Sequence, residues 1–174
     1  MSKSGVAHAA LRLGCIAVLV AAAAWGLALE ATTPASAVGV SPLEGLAGRW
    51  VGEGRLGVKG NATEKVKCRV AYTYAKSTDQ LKQSIRCASA GGNVEVQSLV
   101  THTGGKLTGT WQELVRSWSG DLTGAVTPRG FKVRVRGESL TANMDIIVIG
   151  TRQVVEIQFV NSSLIGLTLV LERG

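Results

Sequence analysis

The stretch that most restricts the fold is residues 64–89, EKVKCRVAYTYAKSTDQLKQSIRCAS. Two runs of alternating apolar and polar residues flank a polar turn, Lys76-Ser77-Thr78-Asp79. Alternation of period two marks a half-buried strand. Val66, Cys68, Val70, Tyr72 and Tyr74 share one face of the first run; Lys65, Lys67, Arg69, Ala71 and Thr73 share the other. With Lys76 facing Asp79, Cys68 lies opposite Cys87, Val70 opposite Ile85 and Tyr74 opposite Leu81. Facing Cβ atoms in an antiparallel pair are ~4.5–5.5 Å apart. A disulfide needs ~3.5–4.5 Å, so a Cys68–Cys87 bond is feasible with slight adjustment.

An oxidising compartment favours that bond, and the N-terminus points to one. Lys3 and Arg12 precede an apolar run over residues 16–29, and Ala35-Ser36-Ala37 forms a small-residue cleavage site before Val38. This is the pattern of a secretory signal peptide over residues 1–37. The run is short of the ~20 residues of a membrane span, although an uncleaved anchor is the alternative. Its Ala-rich style looks bacterial, which makes the periplasm or the exterior the destination. Cleavage would remove Cys15 and leave Cys68 and Cys87 as the only thiols of a mature domain, 38–174.

Residues 46–58 read as a first strand interrupted by Gly48, Gly52, Gly54 and Gly57, and glycines within a strand mark bends or barrel corners. Gly104-Gly105 is a two-residue hairpin turn that sets Ser98 against Trp111, Val96 against Glu113 and Val100 against Gly109. Thr127-Pro128-Arg129-Gly130 turns the chain so that Val126 meets Phe131. Further apolar faces run through Leu140–Val148, Val155–Phe159 and Ile165–Leu171, with Gly150-Thr151 and Asn161-Ser162-Ser163 between them. About ten strands follow, with short links and no helix after the leader. The expected fold is all-β: an antiparallel up-and-down meander closed into a barrel of eight to ten strands. A two-sheet sandwich is the alternative. A barrel of ~8 strands can hold one small ligand.

Leu46-Ala47-Gly48-Arg49-Trp50 resembles the G-x-W opening of lipocalins and their calycin relatives. The resemblance implies that Trp50 plugs the closed end of a barrel, that Arg173 stacks on it, and that the interior takes an apolar ligand. No T-D-Y element follows. Leu107-Thr108-Gly109-Thr110-Trp111 is similar to the L-T-G-T-W of avidin-like barrels, whose biotin ligands have no matching positions here. As a whole, residues 38–174 resemble small exported bacterial proteins.

Catalytic signatures are sparse. Beyond the leader's His8, His102 stands alone, so neither a His-based triad nor a His-rich metal cluster can be assembled. No phosphate loop, metal-ligand set or cofactor motif is present, and no second inward acid accompanies Glu113. The expectation is a non-enzyme without cofactor or metal. Glu113 shares the apolar parity of Trp111, with Ser98 and Gln83 on the same face. These four are the candidate ligand-binding residues, with Gly109 read as a gap beside them. The formal charge is +7. Basic residues form outward rows, Lys65, Lys67 and Arg69 with Arg86, and separately Lys132, Arg134 and Arg136. Such rows either discourage edge pairing or dock on an anionic envelope surface; nucleic acid is not an expected partner of an exported protein. A binding barrel for a small apolar ligand is the leading expectation. An envelope protein with a filled core, or a small protease inhibitor, is the alternative.

Overall fold

The computed structural model describes residues 39–174. The expected signal peptide and its cleavage point lie outside the described residues. A single 3₁₀ turn, Glu44–Leu46, precedes ten strands: β1 (Gly48–Val58), β2 (Glu64–Ala75), β3 (Gln80–Ser89), β4 (Gly92–Thr103), β5 (Lys106–Glu113), β6 (Trp118–Thr127), β7 (Gly130–Gly137), β8 (Thr141–Ile149), β9 (Arg152–Val160) and β10 (Leu164–Arg173). Each pairs antiparallel with the next, and β10 returns to β1 from Trp50↔Arg173 to Val58↔Leu164. The sheet is a closed barrel, which rules out the two-sheet sandwich.

Local chemistry sets the registers. Gly104 and Gly105 both take positive φ, +56° and +80°, as a type I′ turn requires, and Ser98 faces Trp111 as that turn dictates. Cys68 faces Cys87 across β2 and β3, and the two are joined by a disulfide. At the seam the strands approach closely. A Cβ on Gly52 would lie 1.9 Å from the Val170 carbonyl oxygen, so only glycine permits this contact. The 3₁₀ turn at the lead-in carries no signal in the strand pattern and was not expected.

Following the registers round the barrel gives a stagger of about twelve residues, consistent with a strand tilt of about 40°. Ten strands about 4.8 Å apart at that tilt enclose a tube of about 10 Å backbone radius. That is wider than the eight-stranded case whose side chains just meet. The two ends are filled differently. At the end holding the 3₁₀ turn, Leu43, Leu46, Trp50, Tyr72, Leu107 and Leu171 are buried. Toward the other end Val66 and Cys68 are buried, but Leu56, Ile85, Val96, Trp118, Phe159 and Leu167 are only half-buried although they face inward. We call these the closed end and the mouth.

The outer wall carries charges along the strands, among them Glu53, Lys67, Arg69, Asp121, Arg134 and Glu156. This reverses the apolar outer band of a membrane barrel. Among the described residues, no helix is long and apolar enough to cross a membrane.

Candidate functional site

The closed end is built on Trp50. Its indole is fully buried, and its Nε1–H donates to the Leu46 carbonyl at 2.8 Å. The Arg173 guanidinium lies over the ring at 4.5 Å and donates to the carbonyls of Ala47 and Gly45 at 2.5 and 2.6 Å. One cation therefore covers the plug and satisfies the carbonyls of the turn above it. The stacking contributes about 0.5–2 kcal/mol.

A polar cluster seals the same end. Asp79 Oδ1 accepts from Ser41 Oγ at 2.5 Å and from the Tyr74 hydroxyl at 3.1 Å. Asp79 Oδ2 lies 2.8 Å from His102 Nδ1, and His102 Nε2 accepts from the Gly105 N–H at 3.1 Å. The second bond assigns the ring proton to Nδ1, facing the carboxylate. Partial burial pushes the Asp79 carboxyl up, but the hydrogen bonds from Ser41, His102 and Tyr74 outweigh it and hold the pKa below the ordinary value. Deeper in, the Tyr72 hydroxyl donates to Gln153 Oε1 at 3.1 Å, and burial pushes the phenol pKa up against that bond. Sequence reasoning missed both groups. The signal was available in part: in an up-and-down meander every second turn falls at the same end, which places the Asp79 turn beside His102 and Gly105.

The four candidate ligand residues share one wall but not one role. Gln83, Ser98 and Trp111 sit side by side in a lateral row on β3, β4 and β5. Ser98 Oγ donates to Gln83 Oε1 at 2.8 Å. The Trp111 ring runs along the inner wall toward β7, where a Cβ on Gly137 would lie 2.9 Å from its Cζ2. Its Nε1–H is buried without a protein partner. Glu113 turns away from this row. Its Oε1 accepts from the N–H groups of Glu95 and Val115 at 3.2 and 3.0 Å, and its Oε2 from Arg116 at 2.7 Å. The carboxylate thus anchors the β5–β6 turn to β4. Burial raises its pKa, but the three N–H groups and the nearby Arg116 charge lower it further, leaving it below the ordinary value. The gap expected at Gly109 is absent: a Cβ there would lie 2.0 Å from the Leu99 carbonyl oxygen, so this glycine serves close strand approach.

A recess of about 350 Å³ opens at the mouth, lined by Arg136, Glu138, Leu140, Thr141, Val160 and Asn161. A second, of about 390 Å³, lies toward the closed end around Pro128, Phe131, Lys132, Asp145, Ile146 and Glu156. Neither touches Gln83, Ser98 or Trp111. Among the described residues no cluster of His, Cys, Asp and Glu could hold a metal ion. On the outer face of β7, Lys132 pairs with Asp145 at 3.3 Å, Arg134 donates to Asn143 at 3.0 Å, and Arg136 faces Asp121 in register. Two of that row's three cations thus have a carboxylate in register, and the third meets a neutral amide.

No protein-family model matches the chain, and no curated protein matches its sequence. Among solved structures, the chain is similar to the S-type phycobiliprotein lyase CPES from Guillardia theta, with a TM-score of 0.54 and 11% identity over 76% of this chain and 90% of that one. At that identity the likeness is one of fold: what the two share is the antiparallel β-barrel.

Proposed function

We propose that the barrel is a non-catalytic carrier for a small, mostly apolar ligand, taken in through the mouth. One observation carries the reading. A ten-stranded barrel is wider than the eight-stranded case whose side chains just meet, and its inward apolar residues are sealed at the Trp50 end but remain half-accessible toward the mouth. The Gln83–Ser98 pair offers a polar point on an otherwise apolar wall, and such points fix the orientation of a bound molecule. The fold shared with a phycobiliprotein lyase is compatible with this use of a barrel interior. The disulfide and the leader pattern favour export, with the bacterial periplasm as the working compartment.

The test is a titration with the neutral fluorophore N-phenyl-1-naphthylamine, alongside native mass spectrometry of protein isolated from its own cells. Saturable one-to-one enhancement of the dye, or a retained small-molecule mass, supports the carrier. A bare chain mass together with no saturable enhancement overturns it and leaves an envelope protein with a filled core.

A further inference from the structure

The basic residues of β1, β2 and β3 gain a different meaning once the barrel is closed. Arg49, Arg55, Lys65, Lys67, Arg69, Lys82 and Arg86 all project from the outer wall of these three strands and are exposed. Lys67 pairs with Glu53 at 3.6 Å and Arg86 with Glu95 at 2.9 Å. Arg49, Arg55, Lys65, Arg69 and Lys82 have no acidic partner among the described residues. The registers set like against like: Arg55 faces Lys65, and Arg69 faces Arg86. Facing like charges destabilise a sheet. Lysine and arginine rows are ordinarily explained as guards on exposed edges. A closed barrel has no edge, and β1, β2 and β3 are each paired on both sides. Edge protection therefore cannot account for these residues.

The strands that continue the wall beyond the β1–β10 seam are different. The outer charges of β8, β9 and β10 are Asp145, Arg152, Glu156 and Glu172, and Arg152 is paired with Glu172 at 2.6 Å. β7, across the barrel from β2, also carries three outward cations, but carboxylates face two of them, Asp145 against Lys132 and Asp121 against Arg136, so the larger positive excess lies on β1–β3. Four aliphatic side chains border that side, one of them Leu99 on β4 opposite Lys82. Val51 and Val170 are exposed on β1 and β10. The register irregularity between β1 and β10 turns Ile165 outward beside Gly57, 58% exposed. No aromatic side chain faces outward on β1, β2 or β3 to stack on a base or a sugar ring.

We propose that the outer wall of β1–β3 docks the protein on an anionic lipid bilayer. Arg55, Lys65 and Arg69 meet the headgroups, and Ile165 and Val51 rest in the interfacial layer. Unpaired cations interspersed with isolated aliphatics suit that surface, and headgroup phosphates relieve the repulsion within the two like-charged pairs. The surface stands whether or not the interior carries a ligand.

The experiment is flotation of the full chain with vesicles of phosphatidylglycerol and phosphatidylcholine, against vesicles of phosphatidylcholine alone. Lys3 and Arg12 beside the apolar N-terminal run would themselves favour anionic vesicles, so the readout that assigns the wall is the difference between the two triple variants below, which share that N-terminus. Each surface cation contributes a factor of about five at low salt, so Arg55→Gln, Lys65→Gln and Arg69→Gln together should weaken anionic binding about a hundredfold. The same variant should melt at or slightly above the wild-type temperature, because it relieves both like-charged pairs. The triple Lys132→Gln, Arg134→Gln and Arg136→Gln on β7 should change binding less than about threefold. Equal loss from the two triples would overturn the proposal, as would no preference for anionic vesicles at low salt. Binding to soluble heparin without binding to vesicles would also overturn it, in favour of an acidic polymer.

Discussion

Replacing Glu113 by Gln separates two roles for an inward carboxylate. Sequence parity alone places this residue where a ligand head group would be met. In the folded chain both oxygens are occupied: one accepts from Glu95 and Val115, the other from Arg116. Gln keeps the shape but turns one oxygen into an NH₂ group. Oriented as well as possible, its oxygen retains two of the N–H groups, and the NH₂ then faces the third donor. The loss is one hydrogen bond to a charged acceptor, about 1.5–3 kcal/mol, partly relieved if the freed N–H of this rim turn reaches water. We expect a net destabilisation of about 1.5–2.5 kcal/mol, which is a fall in Tm of about 4–10 °C for a domain of this size. Glu113→Ala removes all three acceptors and should cost more, about 3–5 kcal/mol. Urea denaturation monitored by tryptophan fluorescence, with an unchanged m-value, provides the measurement. A Glu113→Gln protein within about 0.5 kcal/mol of wild type, but with altered binding of N-phenyl-1-naphthylamine, would refute the turn-anchor assignment and restore the ligand role.

Three further outcomes are expected. Trp50→Ala should cost about 3–5 kcal/mol by thermal or urea melting, because it empties the plug and removes the ring beneath Arg173; a near-neutral result would mean that the closed end is not a core. Thiol titration of the denatured, unreduced protein should find neither Cys68 nor Cys87 free, and reduction should cost about 3 kcal/mol for a link separated by 19 residues. Asp79 and Glu113 both have lowered folded pKa values, so the folded state binds fewer protons than the unfolded chain in the acid range. Their stabilisation is complete above the unfolded values near 4 and is lost as pH falls through the folded ones. Melts between about pH 6 and pH 2 should therefore steepen downward in acid, and Asp79→Asn with Glu113→Gln should flatten that slope; an unchanged slope would contradict the assigned hydrogen bonds.

Much of the fold is written in local pattern. Period-two alternation assigns each side chain to a face, and a two-residue turn such as Gly104-Gly105 then determines every pair down the hairpin. Hence Cys68 against Cys87 and Ser98 against Trp111 could be placed before any coordinates. Parity gives the side of the sheet, however, and not the direction of a long side chain at a strand end. Glu113 is the last residue of β5, and its carboxylate folds back onto backbone N–H groups of the turn and of β4. Nothing in the residues Glu95, Val115 and Arg116 announces those donors. Gly109 fails for a related reason. A glycine in a strand reads equally as empty space or as close approach, and only the coiling of the neighbouring strand decides.

Closure is the step that local pattern cannot supply, because the seam joins residues as distant as Trp50 and Arg173. Other residues keep the places that local pattern gives them. Lys65, Lys67 and Arg69 are outward on β2 in an open sheet and in a barrel alike. Repulsion of this kind has a use at a free edge, and β2, paired with β1 and β3, is not one in either arrangement. There the facing pair Arg55–Lys65 has no acidic partner, and in the pair Arg69–Arg86 only Arg86 is relieved, by Glu95. The β7 row shows that the chain can offset such charges where it carries Asp145 and Asp121 beside them. Lys65 and Arg69 have no acidic side chain in register, which leaves them free to meet an anion from outside the chain.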